Sequence, residues 1–319
     1  MTAGTPTPVE AVPGPVRVTA IGGGHGLART LTALCDLGLA PTAVVSVADD
    51  GGSSGRLRRD FGTIPPGDLR RALSTLVRDP VTRHLLEHRF TGGDVDGHAL
   101  GNLLLLAAAD IHGGDVARGL DVLATMFGTR GTVVPAAARP VDLRAWLADG
   151  TEVDGQKAIT TTSGVRRVRL VPPDVDAADA AVEAVLAADL VVVGPGSLFT
   201  SLLPPLLLPR LARALVDTGA TTVLVANLRE QPGETTGMDM ADHLDVLFAH
   251  LPDDLVMDVL VANARLEDPV APALAAPEHH PRIRRVVTAP LADARGGHDP
   301  QALAAVLGPL GAVAAGPGR

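Results

Sequence analysis

Dense apolar runs rich in Val, Ile and Leu alternate along the chain with longer stretches of helical spacing. Residues 16–21, 190–193, 223–226, 255–262 and 283–287 are short runs rich in Val, Leu, Ile and Ala, which suits strands covered by helices on both faces. Another such run, from Val44, ends at the adjacent carboxylates Asp49 and Asp50. Leu27, Leu31, Leu34 and Cys35 share one helical face. Further helices are predicted through Leu76, over 84–90, into the run 103–109, over 177–189, from about Met240 and over 301–307. Between 137 and 173 the period changes: Val141, Leu143, Ala145 and Leu147 alternate, a turn follows at 148–150, and 165–171 alternates again. The pattern predicts an α/β fold with a doubly wound, mainly parallel Rossmann-like sheet and a small β excursion appended to it. One nucleotide-binding domain over 16–308 accounts for it. A Pro/Gly/Ala-rich disordered tail is expected at 1–15 and a flexible tail at 309–319.

Chemistry concentrates where these strands end, the position at which open α/β sheets bind ligands. The first strand runs into Gly22, Gly23, Gly24, His25 and Gly26, a turn that lets backbone approach a phosphate at the next helix N-terminus. The second reaches Asp49 and Asp50, candidates for ribose or sugar hydroxyls, before a glycine-serine loop carrying Ser53 and Ser54. Pro65-Pro66-Gly67 is a rigid turn, after which Asp68 either caps a helix entering at Leu69 or meets the ligand. His98 and Asn102 flank the start of an apolar helix, where they cap it or donate to an anion on its dipole. A second strand-to-glycine loop holds Gly194, Gly196, Ser197, Thr200 and Ser201 and reads as a phosphate loop. The strand at 223–226 is followed by Asn227, Gln231, Glu234 and Thr235.

Composition narrows the function classes. A net charge of −9 with dispersed arginines, and an aromatic content of 2%, argue against nucleic-acid binding, which needs a basic surface and stacking rings. The single Cys35 sits in an apolar stretch and reads as a buried residue, consistent with the cytoplasm. No stretch reads as a secretory signal or as a membrane span. Lys157 is the only lysine and lies in no glycine-rich context. His84 and His88 share a helical face but lack a third metal ligand. No Ser-His-Asp order or activated cysteine suggests a hydrolase.

Taken together, GGGHGLARTL, VSVADDGGSSGRLR, GTIPPGDLRRAL, GHALGNLLLLA, ADLVVVGPGSLFTSLLPPLLL, VANLREQPGETTGMDMADH and the late HDP resemble, in order, the gluconeogenesis factor family, within the superfamily of 2-phospho-L-lactate transferase. The resemblance covers nearly the whole chain. It implies a cytoplasmic regulator, without established catalysis, that binds UDP-sugars such as UDP-N-acetylglucosamine and supports cell shape and wall growth on gluconeogenic carbon. It requires no cofactor. The partners it implies are a nucleotide-sugar or dinucleotide ligand, with a homodimer and cell-wall synthesis proteins as further candidates. The transferase branch implies the alternative, passage of a phospholactyl group to a deazaflavin, with magnesium at Asp49 and Asp50. Two positions depart from the family pattern: Met238 stands where a tyrosine is usual, and Gly297 precedes His298-Asp299 where arginine is usual.

Overall fold

The computed structural model describes residues 16–264 and 274–314. The tail expected at 1–15, and residues 315–319 of the tail expected at 309–319, lie outside the described residues. In chain order the elements are β1 (Val18–Gly22), α1 (Gly24–Asp36), β2 (Thr42–Val45), α2 (Gly52–Phe61), α3 (Pro66–Leu76), α4 (Pro80–Glu87), α5 (Leu100–Ile111), α6 (Val116–Phe127) and β3 (Thr132–Pro135). Next come β4 (Asp142–Leu147), β5 (Glu152–Asp154), α7 (Gln156–Thr160), β6 (Val165–Val171), α8 (Asp179–Leu186) and β7 (Leu190–Val193). A π-helical turn (Leu198–Leu202) leads to α9 (Leu203–Leu206), α10 (Pro209–Asp217), β8 (Thr221–Val225), α11 (Met240–Ala249), β9 (Met257–Asn263), β10 (Ile283–Ala289) and α12 (Pro300–Ala314).

Seven parallel strands form the main sheet in the order β10-β9-β8-β7-β1-β2-β3. Every residue of β1 and β7 is buried, as expected for central strands covered on both sides. α1 packs with α12 and α3, while α8 rests on β2 and β3. Strand order reverses between β1 and β7, which opens a crevice beyond their carboxyl ends. The fold class expected from the apolar runs is the one observed.

Several local expectations are corrected. The β excursion is not an extension of the main sheet: β4, β5 and β6 form a separate antiparallel sheet in the order β5-β4-β6. It departs and returns where Ala137 and Ala177 bridge. The predicted glycine-serine loop after Asp50 is helix α2, and β2 stops at Val45, short of the acidic pair. The edge strand β3 and helix α6 were not marked by the apolar pattern. Residues 309–314, expected within a tail, continue α12. No single helix among the described residues is long and apolar enough to cross a membrane.

Candidate functional site

The two glycine loops meet at the switch point. A Cβ on Gly26 would stand 2.1 Å from the Pro195 carbonyl oxygen, so only glycine permits this approach. From α1, Thr30 Oγ1 donates to the Gly194 carbonyl at 2.9 Å and fixes the second loop against the first helix. Gly196 N–H donates to Asn227 Oδ1 at 3.2 Å, and Gln231 Nε2 donates to Ser197 Oγ at 2.9 Å. Thr235 Oγ1 accepts the Gln231 N–H at 2.7 Å and shapes the turn after β8.

Glu234 is buried beneath this loop. Its carboxylate accepts from Phe199 N at 2.6 Å, Thr200 N at 3.1 Å and Thr200 Oγ1 at 3.1 Å, capping the π-helical turn. Burial pushes its carboxyl above the ordinary range, and these donors pull the other way. Ser201, half-buried, follows within the same turn.

Asp68 is not the cap of its own helix. It lies in the first turn of α3, where Pro65 is the N-cap, and its carboxylate accepts from the backbone of Gly24 at the start of α1. Its Oδ1 also accepts from Arg71 Nη1 at 2.8 Å. Burial raises the Asp68 carboxyl above its usual range; Arg71 opposes the shift and nearby Asp49 adds to it. His25, exposed on the first turn of α1, is held below its usual value first by Arg71, then by desolvation, Arg29 and Arg70. The guanidinium groups that disfavour a proton on this imidazole also favour an anion beside it. Sequence reasoning passed over Arg29 and Arg71, although the i,i+3 spacing from Asp68 marks Arg71 as its partner.

The adjacent carboxylates separate. Asp49 Oδ1 accepts the Gly51 N–H at 2.9 Å, whereas Asp50 Oδ1 accepts the Lys157 N–H at 2.9 Å from the small sheet's helix α7. α7 also reaches the second loop, with Gln156 Nε2 donating to the Thr200 carbonyl at 3.2 Å. It thus spans the crevice from Asp50 to the π-helical turn, a bridge that the sequence pattern did not reveal.

Ser53, His98 and Asn102 form a buried chain. Ser53 Oγ is 2.9 Å from His98 Nδ1, and Asn102 Nδ2 donates to Ser53 Oγ at 3.0 Å. Arg70 Nε donates to Asn102 Oδ1 at 3.3 Å, and Arg70 also pairs with Glu87, which accepts from Ser74 as well. Desolvation lowers the affinity of Arg70 for its proton, to a pKa of about 10. This chain locks α2, α3, α4 and α5 together. Ser54 is buried where α2 meets Gly67 of α3. His298, buried behind the crevice, lies 3.0 Å through Nε2 from the Ala226 carbonyl; burial depresses its pKa to about 4.

Among the described residues no group of three His, Cys, Asp or Glu side chains is arranged to hold a metal ion. A cavity of about 690 Å³ lies by the end of β3, lined by Thr63, Ile64, Val116, Pro135, Arg139 and Val175 among others. None of the residues discussed above lines it, and the convergence of loops and charges remains at the switch point.

The model of the family "2-phospho-L-lactate transferase CofD" matches residues 18–284. A Mycobacterium tuberculosis protein is 44% identical over 312 residues, covering 91% of this chain and 89% of its own. The "Gluconeogenesis factor" of Halalkalibacterium halodurans is 40% identical over 269 residues, with 83% of each chain covered. The crystal structure of a UPF0052 family member from Bacillus halodurans superposes with a TM-score of 0.86 at 33% identity, covering 92% of this chain and 99% of that one.

Proposed function

The chain belongs to the 2-phospho-L-lactate transferase CofD family, among its gluconeogenesis factors, and from that premise we propose that it is a cytoplasmic regulator that binds a nucleotide sugar of the UDP-N-acetylglucosamine type. Binding would link growth on gluconeogenic carbon to cell shape and wall synthesis. The observation that carries this reading is the contact of the Gly26 and Pro195 loops beside the arginine field around His25. Two close backbone loops with the Arg29 and Arg71 guanidinium groups nearby suit a diphosphate, which spreads its charge over several oxygens. Ser197 and Ser201 add hydroxyls to the second loop, and Asp49 offers a carboxylate to ribose or sugar hydroxyls.

The test is isothermal titration with UDP-N-acetylglucosamine, with and without magnesium. Saturable one-site binding that persists without metal and is lost in Gly24→Val supports the assignment. Binding unchanged in that variant places the ligand elsewhere.

The name of the family model favours a second reading, a magnesium-dependent transferase of a phospholactyl-type group. The adjacent pair does not fit a shared cation as it stands, because Asp50 turns to Lys157 while Asp49 stays near Asp68. Nucleotide binding that requires magnesium, or turnover of an activated nucleotide in the presence of a deazaflavin, would establish this reading over the regulator.

A further inference from the structure

The only tryptophan of the chain lies on the small sheet and not in the main core. Half-buried Trp146 of β4 stands opposite Arg167 of β6 and opposite Glu152 of β5. The guanidinium carbons of Arg167 and Arg169 lie 4.5 Å and 5.0 Å from its ring centroid. Its indole Nε1 donates to Glu152 Oε1 at 3.0 Å. Arg144 on the same strand engages Glu152 at 3.0 Å and Asp154 at 2.6 Å. The carboxylates of this face are thereby matched. Arg167 and Arg169 remain exposed, with no carboxylate in ion-pair reach among the described residues.

A guanidinium stacked on a ring keeps its in-plane N–H groups free to grip a carboxylate in a bidentate manner. We propose that this face docks an extended acidic segment of a partner protein, with alternate carboxylates seated on Arg167 and Arg169. Alternate residues of a strand are about 6.6 Å apart, and an extended peptide repeats at the same interval. Stacking on Trp146 orders both arginines beforehand, which reduces the entropy lost on docking. A nucleic acid strand would instead need bare aromatic faces for its bases, and here the arginines occupy the ring. On a chain of net charge −9, two uncompensated cations on one sheet face give an acidic partner a defined landing point.

The experiment uses the full chain and a labelled nine-residue peptide of alternating Glu and Thr, with a Gln-Thr peptide as its neutral counterpart. Anisotropy measures affinity, and Trp146 emission reports on the face itself, since the chain has no other Trp and no Tyr. Expected are saturable binding of the Glu peptide, a concurrent change in Trp146 emission, and weakening with salt. The Arg167→Gln/Arg169→Gln variant should bind about tenfold more weakly, because two charge-assisted contacts are lost. Arg167→Lys/Arg169→Lys, which keeps the charge but not the planar fork, should also bind more weakly, while Arg118→Gln on α6 should not. The proposal is overturned by equal binding of the Gln peptide, or by unchanged affinity in both double variants. It is equally overturned by tighter binding of oligothymidylate than of the peptide, or by sedimentation showing that a second copy of the chain occupies the face.

Discussion

The backbone N–H of Lys157 donates to the side chain of Asp50 at 2.9 Å, so the crevice and the small sheet share a fastening between residues 107 positions apart. In Asp50→Ala that hydrogen bond is absent, at a local cost of about 1 kcal/mol. Amide exchange at Lys157 should accelerate roughly fivefold to tenfold while the strands of the main sheet keep their protection. Unchanged exchange would mean that Gln156 and β5 hold α7 without Asp50.

Gly26→Ala forces a methyl group into the Pro195 carbonyl. The loops must separate, with an expected loss of about 1–3 kcal/mol of stability for an overpacked contact. Ligand binding should fall well beyond that cost, because separation opens the cradle. Urea denaturation and titration with UDP-N-acetylglucosamine measure the two effects independently.

His298 makes stability depend on pH in a defined direction. Its folded pKa of about 4 lies below the 6.5 of an ordinary histidine, so the unfolded chain takes up a proton first as pH falls. Its contribution is complete above pH 6.5 and is lost between 6.5 and about 4, amounting to roughly 3 kcal/mol. Urea midpoints across that window should fall less steeply in His298→Gln than in the parent chain. Parallel slopes would show that His298 does not carry this dependence.

Arg70→Met removes the centre of the buried chain from Glu87 to Ser53. The Arg70 side chain is 2% exposed and Glu87 is 40% exposed, so the stranded carboxylate can partly rehydrate. A loss of about 2–4 kcal/mol is expected, chiefly from Asn102 left without a donor. Urea denaturation followed by circular dichroism checks it. A loss under about 1 kcal/mol would mean that desolvating the guanidinium had already offset its bonds.

Six of the seven strands of the parallel sheet were legible because each is a compact run rich in Val, Leu, Ile or Ala. Helix α11 begins at the Met240 expected of it. Helix α2 was not legible, since Gly and Ser have poor helix propensity and favour loops. Those small residues serve packing: a Cβ on Gly55 would lie 2.0 Å from the Asp50 carbonyl oxygen. The capping alternative for Asp68 failed for a related reason, because a carboxylate can meet the start of a helix distant in sequence, and spacing records only local partners. The four-residue β3 is a strand through its pairing with β2, and its own sequence is too short to announce it. The roles of Glu234 and Asp50 likewise depend on loops brought together only by the fold.

The position of β1 also governs how the chain comes into being. Thr19 pairs with Thr42 of β2 early, but on its other side it pairs with Val191 of β7. At about 5–20 residues per second of synthesis, that second edge waits roughly 10–30 s for its partner to leave the ribosome. During this interval a largely apolar strand has one open hydrogen-bonding edge, the condition that invites pairing with other nascent chains. Productive biogenesis therefore depends on that edge staying unpaired until the second half of the sheet arrives.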